Sequence, residues 1–381
     1  MMKVTHFTSV HPENDTRIFI KECSSLAEHY EVSYVVPSAK SYQKNGVNVI
    51  GINAKAKNRL LRMLSTTYQV YKKCKALDSD VYHFHDPELL LSGLLLKGAG
   101  KAVIYDVHED VPEQILSKHW IPKPIKRPLH FMVKAVEKFC SKRFDAVITA
   151  TPAITDRFKT YNENTVTVQN FPIMNELAER GERKTDSDHS IAYVGSITAA
   201  RGIKEMIEAI YEVNKEQRVS LELGGKFFPE TLLDEMRKLP GWKHTNYMGV
   251  LQREQVKDTL AKSSLGMVLI HPEPRYKVAY PVKLFEYMSA GLPVIVSNFE
   301  LWEDIVYTSR CGLCVNPLDV NDVKNAIAWM LSNPDEALAM GRNGRKAVEQ
   351  QFNWEKESRK LVALYEQLGR RAVPVLEEEV V

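Results

Sequence analysis

Cysteine is scarce in this chain: five residues in 381, odd in number and scattered as Cys23, Cys74, Cys140, Cys311 and Cys314. That excludes a disulfide framework and points to reduced thiols. Cys311 and Cys314 form one CxxC, but no second Cys or His pair stands at zinc-finger spacing, and Gly312 to Val315 reads as a strand, so no metal is expected. Long apolar runs are also missing. A membrane-spanning helix needs about 18 apolar residues, and the run Leu89 to Leu96 stops far short. No apolar signal segment follows Met1, so a cytoplasmic protein is expected. With 44% hydrophobic and 26% charged residues, the composition is that of a soluble globular protein, and the length fits two domains.

Net charge is small, +3, but unevenly placed: residues 1–175 carry +7 and residues 176–381 carry −4. Lys55, Lys57, Arg59, Arg62, Lys72, Lys73 and Lys75 occur with no acid between 55 and 75. In a second stretch Lys118, Lys123, Lys126, Arg127, Lys134, Lys138, Lys142 and Arg143 face Glu137 alone and are interleaved with Trp120, Phe131, Met132 and Phe139. Such patches attract anionic membranes or nucleic acid, or are solvated helix faces. Since no DNA- or RNA-recognition motif is present, the inner-leaflet membrane surface is the expected partner and nucleic acid is not.

Short β-branched runs alternate with helical patterns throughout. Strands are expected at Val4–Val10, Glu31–Val36, Val47–Ile52, Val81–His85, Ala102–Val107, Ala146–Ala150 and Val166–Gln169. The rhythm repeats at Ile191–Gly195, Val219–Leu223, Asn246–Gly249, Gly266–Ile270, Pro293–Ser297 and Leu313–Val315. Strands separated by helices predict an α/β protein of two Rossmann-like, doubly wound parallel-sheet domains with a cleft between them. The pattern breaks in Asn170–Ser190, where the polar run Glu179–Asp188 reads as a hinge or surface linker. The expected division is residues 1–172, residues 173–353, and a segment 354–381 made of a helix returning to the first domain and a loose tail. Helices are expected near Asn321–Ser332 and Pro334–Gln351, and the last one, Trp354–Leu368, aligns Leu361, Leu364, Tyr365 and Leu368 on one face.

The most informative stretch is Pro281 to Asn298. Pro281 suits a first helical position and Gly291 a left-handed stop, which places Glu286 in the first turns of a short helix whose start attracts phosphate. Lys283 and Glu286, three apart, share one face, where a carboxylate suits a ribose diol; a solvated Lys–Glu pair is the other reading.

With the loop Val194-Gly195-Ser196-Ile197-Thr198-Ala199-Ala200-Arg201-Gly202, the segments His83-Phe84-His85-Asp86-Pro87-Glu88-Leu89 and Tyr105-Asp106-Val107-His108-Glu109-Asp110, and the opening His11-Pro12-Glu13-Asn14-Asp15-Thr16-Arg17, this stretch resembles the retaining glycosyltransferases of family four, which have the GT-B architecture. The opening is similar to a subgroup that builds bacterial surface polysaccharides. The resemblance implies that the C-terminal domain holds a nucleoside-diphosphate sugar as co-substrate, with no other cofactor and no metal. Glu286 would contact the ribose and Arg201 the diphosphate; Gly195, Ser196, Gly202, Pro281, Lys283 and Leu284 would line the donor. Lys226, after a strand end, is a second phosphate candidate, and Met248, Gly249 and Val250 would border the base. His108 would sit near the transferred sugar, so His108, Arg201 and Glu286 form the implied catalytic set.

On the acceptor side, Asp15 and Arg17 replace a glycine-rich loop, although Asp15 could equally cap a helix. His85, Asp86 and Glu109 join them, although Asp86 could equally cap its own loop. The implied acceptor is a glycan or polyprenyl-linked glycan. Two departures stand out: Val278 and Ser196 occupy positions where relatives carry Glu and Arg, which puts sugar identity in doubt, and Arg275, Tyr276 and Lys277 lie beside the first. A nucleotide-sugar epimerase and an inactive nucleotide-binding partner subunit are the rival readings.

Overall fold

The structure is a computed structural model that describes residues 1–37, 40–53, 62–118, 121–177 and 189–372. Lys55, Lys57, Arg59, Trp120, the 179–188 run and the last residues of the expected tail lie outside these. The chain forms two compact units, Met1–Asn170 together with the segment from Lys356, and Phe171–Glu355.

The first unit is built on an eight-stranded sheet in the order β3-β4-β2-β1-β5-β6-β7-β8. Its strands are β1 (Lys3–Phe7), β2 (Glu31–Pro37), β3 (Tyr42–Lys44), β4 (Val47–Ile52), β5 (Val81–Phe84), β6 (Ala102–Val107), β7 (Ala146–Thr149) and β8 (Thr165–Thr167). All pairs are parallel except β3 with β4. The second unit has six parallel strands in the order β11-β10-β9-β12-β13-β14. They are β9 (His189–Val194), β10 (Val219–Gly224), β11 (Thr245–Gly249), β12 (Leu265–Val268), β13 (Val294–Ser297) and β14 (Gly312–Val315). Buried apolar side chains make the cores, such as Val103, Tyr105 and Val147 on one face of the first sheet, and Ile191, Leu221 and Ile295 on one face and Val268, Val294 and Val296 on the other face of the second.

Each sheet winds outward in both directions from one strand: β1 lies between β2 and β5, and β9 between β10 and β12. Crevices beyond the carboxyl ends of strands at such switch points are where open α/β sheets bind ligands. Three details differ from the sequence expectation. The first strand stops at Phe7 rather than Val10, because the Thr8 and Ser9 hydroxyls turn to Asp86. Edge strand β3 is additional; its side chains are polar and largely exposed, so no apolar alternation marks it. Pro281 lies just outside the helix Val282–Ser289 as its cap (φ −75°, ψ 112°) rather than as its first residue, so Glu286 is the fifth residue of the helix.

The helix Trp354–Ala372 buries Leu361, Leu364, Tyr365 and Leu368 in the first unit. The Tyr365 hydroxyl is 2.8 Å from His83 Nδ1, and Glu357 accepts the Gln169 N–H at 2.9 Å.

Candidate functional site

In the second unit the site begins where β9 ends. Gly195 has φ +138° and its N–H donates to the Gly224 carbonyl at 2.9 Å. Gly225, at φ +146°, approaches so closely that a Cβ there would overlap the Gly195 carbonyl oxygen. Gly202, the left-handed residue that opens the helix Ile203–Val213, is likewise free of a side chain because one would strike the Leu269 carbonyl. Two cations converge on this glycine-lined turn. Lys283 is 8% exposed; its ammonium stands 3.8 Å from the centre of the Tyr193 ring and close beside Gly195, without a hydrogen bond. Burial, and then the like charge of Arg201, hold its pKa well below the usual lysine value, with Glu286 acting the other way. Arg201 donates to the Ser196 carbonyl at 3.5 Å, lies within hydrogen-bond reach of the Tyr193 hydroxyl, and makes no ion pair among the described residues. The Tyr193 hydroxyl also donates to that carbonyl, and the Tyr287 hydroxyl accepts the Val194 N–H at 2.9 Å, so the turn is braced from both sides.

Glu286 is not free. Arg253 Nη1 donates to it at 2.6 Å while Nε and Nη2 hold both oxygens of Glu176 at 2.8 and 2.6 Å. Burial opposes the guanidinium charge, but the two carboxylates outweigh it and raise the Arg253 pKa. Leu284 is buried beneath. Gly249 has φ +68° with open space where a Cβ would stand, and Val250 is 67% exposed beside it. Ser196 is exposed, and Lys226 is an exposed residue paired with Glu230 at 3.2 Å. Val278 is exposed and Pro281 half-buried.

In the first unit, polar side chains gather inside rather than at the surface. Arg17, at 5% exposure, donates to both Asp106 oxygens (3.0 and 3.2 Å from Nη2) and to the Val168 carbonyl, and its Nε lies 3.0 Å from Glu22. The donors of Arg17, a residue expected on the acceptor side, are thus spent on interior groups. His85 is fully buried, with Nε2 3.0 Å from His6 Nδ1 and Nδ1 3.2 Å from Asp106. Asp86, 2% exposed, accepts from the Thr8 hydroxyl and from the Ser9 N–H and hydroxyl, so it ties the turn after β1 to the end of β5. Asp15 caps the π-helical segment Thr16–Cys23 by accepting the Arg17 and Ile18 N–H groups, and pairs with His11 at 3.0 Å. His108 Nε2 is 3.0 Å from Asp106, and its side chain is 16% exposed. Glu109 is exposed and bonds Gln114.

Burial is the largest influence on each of the interior groups. It lowers His85 to about 4, with Asp106 opposing, and raises Glu22, aided by the charge of Asp106. Asp106 itself is held well below the ordinary carboxylate value because Arg17 and His108 outweigh its burial. His11 is raised, since Asp15 and Asp86 overcome desolvation.

The sequence reading assigned no role to Arg253, Glu176, Glu22 or His6. Glu22 pairs with Arg17 five residues before it, but the partners of Arg253, Glu176 and His6 lie tens of residues away, and no spacing rule connects them.

Residues 19–171 match the family described as Glycosyltransferase Family 4, and residues 175–347 match Glycosyl transferases group 1. The first match falls almost wholly on the first unit and the second on the second unit. The capsular polysaccharide biosynthesis glycosyltransferase CapM of Staphylococcus aureus is 26% identical over 47% of this chain and 46% of its own length. The chain spans 46 to 62% of the lengths of the first four curated relatives it matches. The fold matches sucrose-phosphate synthase from Thermosynechococcus elongatus, with TM-score 0.73 and 18% identity over 97% of this chain and 100% of the other. It also matches Anabaena Alr3699/HepE in complex with UDP-glucose, with TM-score 0.69 and 16% identity over 96% and 100%.

Proposed function

We propose that the protein transfers a sugar, with retention at the anomeric carbon, from a nucleoside-diphosphate sugar to a hydroxyl of a glycan or lipid-linked glycan in surface polysaccharide synthesis. The carrying observation is the pair Lys283 and Arg201, two cations gathered at a glycine-lined turn, neither with a carboxylate in hydrogen-bond contact. A buried ammonium is costly unless an anion compensates it, and a diphosphate supplies that anion. As the glycosidic bond breaks, negative charge grows on the leaving phosphate, where both cations stabilise it more than in the ground state. The phosphate oxygen then takes the proton of the attacking hydroxyl on the same face, so no carboxylate nucleophile is required. Glu286, steadied by Arg253, is the proposed ribose ligand and His108 the proposed sugar-facing residue of the first unit. CapM, with its capsular role, supports the pathway assignment.

The acceptor suggests a membrane surface. Helix Lys123–Ser141 exposes Ile125 (52%), Met132 (57%), Val136 (46%) and Phe139 (53%) along one stripe, flanked by Phe131, Arg127, Lys138 and Lys142. An apolar stripe edged with cations lies in the interface of an anionic bilayer. No described helix is long and apolar enough to cross it.

Donor turnover tests the assignment. Arg201→Ala and Glu286→Ala should each lower it strongly, and near wild-type rates in both would remove the site. Product formed from donor alone would favour the epimerase. Charge reversal at Lys123, Arg127, Lys134 and Lys138 should weaken binding to anionic vesicles, most at low salt; unchanged binding would leave solvated lysines.

A further inference from the structure

We propose that His11 and Asp86 bind a vicinal diol of a sugar ring in the first unit, one hydroxyl accepting from His11 Nε2 and its neighbour donating to Asp86 Oδ1. The diol belongs to a substrate of the proposed transferase, so this site rests on that reading. His11 stands in the turn after β1, the strand from which the first sheet winds both ways, and its N–H donates to the Thr8 hydroxyl at 3.1 Å. That puts it at the carboxyl ends of the strands, where open α/β sheets bind ligands, with its side chain 26% exposed.

The ring is fixed on three sides. Nδ1 is 3.0 Å from Asp15 Oδ2, while Asp15 Oδ1 accepts the Arg17 and Ile18 N–H groups, so the cap of the π-helical segment also holds the imidazole. The His108 ring packs edge-on, its centre 5.0 Å away. Nε2 faces Asp86 Oδ1 at 3.5 Å, too far for a hydrogen bond of ordinary length, and Asp86 takes its Thr8 and Ser9 donors on the other oxygen. Nε2 and Oδ1 therefore each lack a hydrogen bond among the described residues, and neither is sealed from solvent. Burial opposes the imidazolium, but the hydrogen bond to Asp15 and the charges of Asp86, Asp15 and Asp106 raise the His11 pKa, which favours a proton on Nε2. Two carboxylates flank that one cation, so the position is unfavourable for phosphate or another anion. A donor and an acceptor side by side suit neutral groups that both accept and donate, and adjacent sugar hydroxyls are such a pair. His108, held through Nε2 by Asp106 at 3.0 Å, leaves Nδ1 open beside them, so a sugar seated there lies next to the residue proposed to face the transferred sugar.

Two substitutions separate ligand binding from packing. His11→Phe keeps a ring against His108 and removes the donor; His11→Gln gives up the ring and keeps a donor near the place of Nε2. Both are measured in the full chain with UDP- and GDP-linked hexoses, for binding, for hydrolysis without acceptor and for transfer to octyl glycosides, with Arg201→Ala alongside. His11→Phe should lower kcat/KM about 10-fold or more, the loss of a hydrogen bond to a charged group, and His11→Gln should retain most of the activity at neutral pH. In the wild type kcat/KM should fall as pH rises through the His11 pKa, where Nε2 loses its proton among Asp15, Asp86, Asp106, His85 and His108. His11→Gln should lack that limb, a readout that stands even if His11→Phe does not fold. Lost affinity for the nucleotide sugars, but not for UDP or GDP, places the diol on the donor; a loss confined to transfer places it on the acceptor. Wild-type rates in His11→Phe, or a loss in His11→Gln as large as in His11→Phe, overturn the proposal. If Arg201→Ala is also unimpaired the transferase reading falls with it, whereas an inactive Arg201→Ala leaves that reading standing and returns His11 to bracing its turn.

Discussion

The two units treat buried charge in opposite ways. In the first, Arg17 is surrounded by Asp106, Glu22 and the Val168 carbonyl, so a fully interior cation is matched on every side. In the second, Lys283 is as deeply placed but has only an aromatic face and a distant carboxylate, with Arg201 repelling it. Matched charge holds a fold together. Unmatched charge, kept in place by packing from elsewhere, is tuned for a ligand that arrives with the opposite sign. On this view the N-terminal cluster organises its own sheet edge, whereas the C-terminal turn is set to bind.

The largest test of that contrast removes one cation from each unit. Arg17→Met strands Asp106 and Glu22 without their cation and should cost about 3–5 kcal/mol of stability, read as a fall in the denaturation midpoint. Lys283→Met deletes a buried amine that has no hydrogen-bond partner among the described residues while keeping the packing, so its midpoint should hold or rise. If both variants lose stability alike, the distinction between matched and unmatched charge fails.

Next comes ligand binding. Lys283→Met and Arg201→Ala should each weaken nucleoside-diphosphate binding by about 1.5–3 kcal/mol, the range for hydrogen bonds to charged groups. Calorimetric titration would show it, and unchanged affinity would reassign the phosphate position to the exposed Lys226.

Much of this was legible beforehand and some was not. All six strands of the second unit follow from β-branched runs between turn residues, because a parallel strand covered on both faces is nearly continuous in apolar residues. Tyr42–Lys44 escaped because an exposed edge strand carries no such run. The glycines at 195 and 202 and the cations at 201 and 283 stood in recognisable segments, but whether a cation is matched depends on what folding brings near it. Asp106 was visible only as one residue of a motif; its contacts with Arg17, 89 positions away, are products of the sheet.

A smaller effect sharpens the reading of Glu286. Arg253→Gln removes the group that fixes its carboxylate, so donor affinity should fall by about 1–2 kcal/mol while a nucleotide lacking the ribose 2′-hydroxyl is affected less. An equal loss for both nucleotides would mean that Arg253 acts on something other than the ribose contact. Glu176→Gln should reproduce the effect in weaker form, since it loosens Arg253 without freeing it.

The smallest expected effect separates backbone need from close approach among the glycines of the second unit. Gly249 and Gly202 have nearly the same φ, +68° and +66°. A side chain at 249 meets nothing within 4 Å, whereas one at 202 meets the Leu269 carbonyl. Gly249→Ala should therefore cost only the left-handed backbone term, about 1 kcal/mol, and leave diphosphate binding intact. Gly202→Ala carries the same term plus a collision that moves the start of the helix behind Arg201, so it should lose both stability and diphosphate affinity. Equal losses in the two variants would mean that backbone conformation alone, and not the approach of Gly202 to Leu269, shapes the turn that holds the cations.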